Sequence, residues 1–396
     1  MSPPAPLMRA VVATAGGALR LSRVPPPSAS PSQVLLAVAA TAVNRADLLQ
    51  AAGRYPPPDG VTPVLGLEAA GTVMGTPPAG SGLARGDRVV ALLQGGGYAD
   101  VAAADVGCVL RLPPGWGGDD WAVRGAAVME AWVAAYQVLL LGGCVRPPAA
   151  AAGGGPPPPP IEGTAPWGGS PPLPPRSPPP RSVLVTAAAA GVGTAAVQLA
   201  AAHFGVPVVI GSAGTPSRRA AVAALGATAT VPRPPAAAPA ADASPDAPPP
   251  PPPPCAYTDG VRAAAPGGVV DLLLDAVGGG GAWAAHPPLL APDARWVLYG
   301  ALGGARAATP AVPAALLARR VSLLATTLRG RPAAYRGGLV AAFGREVLPS
   351  MAAFPKGGRL APVVHTVMRL DDVAAAHELV ASNAVVGKVV LRVADP

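Results

Sequence analysis

The amino-acid sequence predicts an α/β protein that joins a mostly antiparallel β part to a doubly wound parallel sheet. Three observations predict it. The stretch Val183 to Ala202, VLVTAAAAGVGTAAVQLAAA, passes from a β-branched run through a small-residue turn into a helical pattern. Beyond it, apolar runs that end in glycine alternate with helical segments as far as Thr326, as in a parallel sheet covered on both faces. Before it, from Met8 to about Ala127, short apolar runs are broken by Gly and Pro every ~8–12 residues, which is the rhythm of antiparallel β structure.

Taken in order, the N-terminal runs are RAVVA, SQVLLAVAATAVN, VLGLEAAGTV and GDRVVALL. Glu130 to Leu141 repeats apolar residues at helical spacing and stops at Gly142-Gly143. The segment at about 146–181 is proline-rich and can neither propagate a helix nor pair in a sheet, so it reads as a solvated insertion. Val183 to Val185 reads as a buried strand and Thr194 to Phe204 as a helix. Strands follow at Val206 to Ile210, Ala227 to Val231, Val269 to Ala276, Ala294 to Tyr299 and Arg320 to Thr326, with a helix at Arg218 to Leu225. A second proline-rich insertion spans about 232–256. The tail reads strand, helix, strand, with Asp371 as the helix N-cap and Lys388 to Val393 as the last strand.

Composition narrows the classes. The chain of 396 residues has room for two or three domains with sizeable cores. The formal charge of +8 comes almost entirely from scattered arginines, Lys356 and Lys388 being the only lysines, so no basic patch points to nucleic acid. Cys108, Cys144 and Cys255 have no paired spacing, which suits a reducing compartment and no structural zinc. The four histidines, His203, His286, His365 and His377, show no ligand spacing and read as surface or capping residues. MSPPAPLMRAVV has no secretory h-region, and the expected location is cytoplasmic. The uncharged run from Val183 is long enough for a membrane span, but its glycines, Thr186, Thr194 and Gln198 argue against one.

Strand, glycine turn and helix together form the phosphate-cradling start of a dinucleotide-binding unit. Gly191 and Gly193 allow close backbone approach, and the helix start presents N–H groups and partial positive charge. The same turn is also compatible with a buried βα unit that holds no ligand. An NAD-specific unit needs a carboxylate about 20 residues beyond the turn. Here that count lands on Gly211-Ser212, and no Asp or Glu occurs between Gly193 and Ala241. Arg218 and Arg219 follow, and a guanidinium fork suits the 2′-phosphate of NADPH.

AVNRADLLQ, GRYPPP, GLEAAGTV, EAWVAAYQ, AGVGTAAVQLA, LLDAVGG and RWVLYGALGG together resemble the zinc-free quinone oxidoreductases of the medium-chain dehydrogenase/reductase superfamily. Within it they are most similar to the tumour-suppressor-inducible branch related to zeta-crystallin. The resemblance covers almost the whole chain outside the two insertions. It implies a GroES-like β domain from residues 1–128 with the tail 326–396 returning to it, and a Rossmann NADPH-binding domain at 129–325. Zinc-dependent relatives carry Cys and His where this chain has Asn44 and Leu67, so no metal is expected. The resemblance places Asn44 by the nicotinamide, Tyr55 along the quinone pocket and Gly300 and Ala301 beside the nicotinamide. It places Ala190, Gly191, Val192, Gly193 and Thr194 on the pyrophosphate, and Ser212 and Arg218 near the adenosine end. Asp47 is expected to cap its own helix. Ala188 and Ala190 stand where relatives have Gly and Ser, and Pro232 stands near the place of an adenine-side tyrosine. The implied activity is NADPH-dependent reduction of a quinone or quinone-like conjugated carbonyl by a homodimer, with no nucleic acid or membrane partner. An enoyl or alkenal reductase and a non-catalytic, crystallin-like NADPH-binding protein are the alternatives.

Overall fold

The computed structural model describes residues 7–14, 16–145, 178–235, 255–304, 312–353 and 359–394. Most of both proline-rich stretches expected to be solvated insertions lies outside the described residues. The chain divides into two compact units, one made of 1–134, 190–192 and 328–396, the other of 135–189 and 193–327.

The first unit is a GroES-like β fold. Its long strand Gln33–Val43 alternates buried and half-buried residues along most of its length, as a strand with one face on a core must. Around it a seven-stranded sheet runs in the order Val364–Arg369, Lys388–Arg392, Gln33–Val43, Glu68–Met74, Arg88–Leu92 and Val109–Arg111, with Val101–Asp105 also paired to the long strand. The C-terminal strand joins antiparallel, Val389 opposite Val43, so the tail completes this sheet. A separate hairpin, Met8–Ala13 with Leu19–Val24, packs Val11 into the same core as Leu36, Leu65 and Tyr98.

The second unit is a Rossmann sheet of six parallel strands. Their spatial order is Ala229–Val231, Val208–Ser212, Ser182–Val185, Val270–Asp275, Leu290–Leu298, Ser322–Ala325, that is, third, second, first, fourth, fifth, sixth. Strands buried on both faces read as continuous apolar runs. Val183, Leu184 and Val185 are fully buried for that reason, and Leu184, Ile210, Leu273 and Trp296 share one core. The strand order reverses beside Ser182–Val185, which places the glycine turn at the switch point where such sheets take ligands.

The run from Val183 is a strand followed by a helix, as expected, and among the described residues no helix is long and apolar enough to cross a membrane. Several other expectations are corrected. The helix after the turn begins at Gly191 and passes into a π turn over Leu199–His203, earlier and less regular than the pattern implied. Asp371 lies inside a 3₁₀ turn, and Asp372 holds the cap position of the helix Val373–Ala381. Three histidines are not surface residues. His286 is fully buried and His203 and His377 nearly so, each packed on aromatic rings, while His365 is exposed. A lone histidine carries no periodic signal, so its burial follows from neighbours distant in sequence. The helices Ala256–Ala264 and Ala333–Glu346 were not anticipated, because glycine and arginine interrupt their apolar pattern.

Candidate active site

In the Rossmann unit the site is made mostly of backbone. Thr186 Oγ1 donates to Asp275 Oδ1 (3.0 Å) and accepts from Ala276 N (2.9 Å), tying the first strand end to the fourth. The turn then folds so tightly that a Cβ on Gly193 would come within 2.3 Å of the Ala187 carbonyl oxygen and 2.6 Å of Ala188 Cα. Only glycine fits there, and Ala187 itself is in the left-handed region at φ 49°. Asp275 is buried, which alone would raise its pKa. The His286 ring, with Nδ1 3.4 Å from Asp275 Oδ2, and hydrogen bonds from the Gly278 and Val277 N–H groups (3.2 and 2.9 Å) outweigh burial and hold it below the usual range. Trp296 Nε1 also donates to it (3.1 Å). At the end of the fifth strand a Cβ on Gly300 would sit 2.6 Å from the Ala276 carbonyl, so the chain at Gly300-Ala301 runs close beside the fourth strand.

The adenosine-side candidates have clear positions. Ser212 closes the second strand, and its hydroxyl donates to the Pro232 carbonyl (2.8 Å), so its side chain holds the strand ends together. Thr215 caps the helix Pro216–Ala224 by accepting from Arg218 N (3.3 Å). Burial, and then the charge of Arg233, hold the Arg218 guanidinium below its ordinary pKa. Arg233 was not singled out from the sequence, since it lies at the start of a proline-rich stretch. Two guanidinium groups close enough to oppose each other's charge make a receptive place for an anion.

In the GroES-like unit the site is made of side chains. Asn44 stands at the N-cap of the helix Arg45–Ala51. Its Nδ2 donates to Glu68 Oε1 (2.9 Å) and to the Ala42 carbonyl (3.2 Å), and its Oδ1 accepts from Lys388 Nζ. Lys388 Nζ also lies 2.9 Å from Glu68 Oε1 and donates to the Val43 carbonyl (3.1 Å). Glu68 Oε2 accepts the Glu130 N–H (3.0 Å), and burial, then the Glu68 charge, push the Glu130 carboxyl up to about 8. Asp47 accepts from Asn44 N (2.8 Å), Gly66 N (3.2 Å) and the Tyr98 hydroxyl (3.1 Å), yet burial still raises it to about 6. The Tyr98 oxygen is 3.2 Å from His377 Nε2, and burial lowers His377 to about 4. Within this unit, Lys388 packs against the glycine turn: a Cβ on Gly191 would meet Lys388 Cδ at 2.8 Å, and Ala190 bridges Gly387 through the backbone.

Tyr55 lies beyond the other end of the Asn44 helix, its N–H bonded to the Leu49 carbonyl (3.2 Å), and the Arg329 guanidinium rests over its ring. Lys388, Glu68, Glu130 and Arg329 had not been named as site residues. The available signal was Lys388 itself, one of two lysines and set within a valine-rich strand. Zinc does not fit this arrangement. Leu67 is in the core, Asn44 and Glu68 are committed to an ammonium, and no group of three or more His, Cys, Asp or Glu among the described residues could hold a metal.

A family model described as the alcohol dehydrogenase GroES-like domain matches residues 30–140, and one described as zinc-binding dehydrogenase matches residues 255–391. The chain belongs to the medium-chain dehydrogenase/reductase superfamily. Among solved structures it is similar to the quinone oxidoreductase of Thermus thermophilus, studied also in complex with NADPH, at 26% identity and a TM-score of 0.66, covering 98% of this chain and 100% of that one. A human synaptic vesicle membrane protein VAT-1 homolog-like protein shares the fold at 23% identity and a TM-score of 0.68, covering 99% of this chain and 100% of that one. A pikromycin polyketide synthase component of Streptomyces venezuelae is 45% identical over 91 residues, 23% of this chain and 2% of that protein. The chain spans only a few per cent of the length of the curated relatives it matches, 2% and 6% in two of them. The zinc-binding description belongs to the model matched over residues 255–391, a stretch that does not include Asn44 or Leu67.

Proposed function

We propose that this superfamily member is an NADPH-dependent reductase of quinones or quinone-like conjugated carbonyls that works without zinc. The observation that carries the reading is the Lys388 ammonium held by Asn44, Glu68 and the Val43 carbonyl, where a zinc-dependent relative would need metal ligands. A zinc-dependent relative would use its metal as a Lewis acid to help an alcohol shed its proton as hydride leaves, whereas a conjugated acceptor takes hydride directly and needs chiefly position and polarity.

The nicotinamide cofactor fits the residues present. Gly191, Val192, Gly193 and Thr194, at the start of a helix, would hold the pyrophosphate, with Ala190 preceding them. Arg218, with Ser212 and Arg233 nearby, would hold the 2′-phosphate. Gly300, Ala301 and Asn44 would line the nicotinamide, and Tyr55 the acceptor. When bound, the cofactor supplies a hydride, and with one proton from solvent a quinone becomes a hydroquinone and NADP⁺ leaves. Glu130, held protonated at neutral pH, keeps a second anion away from Glu68 and leaves the Lys388 pair intact. A homodimer is part of the proposal.

Steady-state NADPH oxidation against a quinone panel and an enone panel tests the reading. Quinone turnover that persists in chelator is expected. Turnover of enones alone would favour the alkenal reductase. NADPH binding without turnover of either would favour a crystallin-like role, and one tightly held zinc per chain would overturn the metal-free site.

A further inference from the structure

The GroES-like unit contains another buried cation, Arg329, whose charge meets no carboxylate partner among the described residues. Arg329 is only 3% exposed. Its Nε donates to the Gln94 carbonyl (2.7 Å), and Gln94 Nε2 donates back to the Arg329 carbonyl (2.9 Å). Gln94 is fixed in turn by Arg336, whose Nη2 donates to Gln94 Oε1 and to Asp105 Oδ2, both at 3.0 Å. The Arg329 guanidinium carbon lies 5.4 Å from the centroid of the Tyr55 ring. Its Nη1 and Nη2, both buried, have no hydrogen-bond partner among the described residues.

A buried guanidinium normally ends on a carboxylate, because an uncompensated buried charge is costly. The acids whose charge it feels do not supply one here. Asp47 has its oxygens committed to Asn44, Gly66 and Tyr98. Glu130 is held protonated by burial and by Glu68, and Glu68 is itself paired with Lys388. What remains is a rigid fork of two unused donors beside an aromatic ring already assigned to the acceptor. Such a fork matches two coplanar oxygens that carry negative charge.

We propose that Arg329 is a specificity residue that binds a carboxylate of the acceptor through Nη1 and Nη2, so that the acceptor is a conjugated carbonyl compound carrying a carboxylate. This rests on the reductase reading above. The arrangement makes substrate charge, rather than ring size, the selected property.

The test compares a conjugated oxo-enoate with its methyl ester, and separately measures binding of benzoate and of neutral benzamide by calorimetry. The wild type is expected to favour the acid over the ester by about ten- to a hundred-fold in kcat/KM, mostly through KM. Arg329→Met brings that ratio near one, and Arg329→Lys restores part of it. Benzoate binds the wild type and not Arg329→Met, while benzamide binds neither well. Equal use of acid and ester by the wild type, or benzoate binding that survives Arg329→Met, overturns the proposal. If no acceptor is turned over at all, the reductase reading fails and the benzoate comparison still decides the carboxylate site. Should Arg329→Met not fold, the wild-type acid-to-ester ratio and the benzoate-to-benzamide comparison carry the decision alone.

Discussion

The glycine turn and the lysine cage are built by opposite means. At the turn almost nothing is done by side chains: Ala188 and Ala190 carry no polar group, and the shape depends on what Gly193 lacks. At the cage the backbone contributes the Ala42 and Val43 carbonyls and the Asn44, Gly66 and Glu130 N–H groups, but the charge itself is held between the side chains of Asn44, Asp47, Glu68 and Lys388. Backbone sites depend on local chain direction, so they tolerate side-chain drift and fail on a single added methyl. Side-chain sites depend on partners being present together, so they fail when one partner is removed and recover when two are.

The largest effect expected from that contrast is at Lys388. Lys388→Met leaves the fully buried Glu68 carboxylate without its cation, and breaking a buried pair from one side costs ~3–5 kcal/mol. Chemical denaturation of Lys388→Met, Glu68→Gln and the double variant measures it. The double variant should recover much of the loss, and strictly additive losses would show that the two groups do not act as a pair.

A smaller effect concerns pH. The Glu130 carboxyl is raised to about 8, so between the unfolded value near ~4.3 and that pH the unfolded chain releases a proton that the native chain keeps. Native stability from this group is therefore fully present below the unfolded value and declines as pH rises toward 8, by at most ~1.4 kcal/mol per pH unit. Glu130→Gln should flatten that decline and raise the melting temperature at pH 8 relative to the wild type. A wild-type stability that climbs from pH 5 to pH 8, with Glu130→Gln following the same curve, would count against the assignment.

At the turn, Gly193→Ala places a Cβ on the Ala187 carbonyl, and relieving that overlap costs ~1–3 kcal/mol. Because the overlap distorts the turn itself, NADPH affinity measured by fluorescence titration should fall with stability. A variant that binds NADPH normally would move the pyrophosphate site away from this turn.

The same contrast explains what was legible in the sequence. The parallel sheet and the turn are local patterns: Val183 to Val185 is a short apolar run, and glycines two residues apart where a helix begins are a statement about backbone. Most strand boundaries shifted by a residue or two, and the fifth strand starts at Leu290 instead of Ala294, since hydrophobicity does not mark where a ladder ends. The cage was not legible because its members are 24, 62 and 344 residues from one another along the chain, as Asn44–Glu68, Glu68–Glu130 and Asn44–Lys388. No window contains them. Asn44 and Tyr55 were found through resemblance, and Lys388, Glu130 and Arg329 needed the sheet to be assembled first. Buried histidines failed for the same reason, His286 being placed by Trp296 and Tyr257 from separate segments.

The smallest effect expected lies at Arg218, where the Rossmann unit uses a side chain after all. Arg218 is half-buried and Arg233 is exposed, so any ion pair they form with a 2′-phosphate is well solvated. Such a contact contributes ~1 kcal/mol, roughly a five-fold change in KM. The absence of Asp and Glu between Gly193 and Ala241 removes the repulsion that an NAD-type carboxylate would exert on that phosphate, so the proposed preference for NADPH would rest partly on what is missing. Arg218→Ala should therefore raise the KM for NADPH about five-fold and leave that for NADH nearly unchanged, since only one of them carries the phosphate. Arg233→Ala alone should cost less than Arg218→Ala, because removing Arg233 also relieves Arg218 of the neighbouring charge that helps hold its pKa down. Higher salt should shrink the difference between wild type and variant, as screening requires of an exposed pair. Equal KM values for NADPH and NADH in the wild type would remove the phosphate site from this unit and leave the glycine turn as its only cofactor contact.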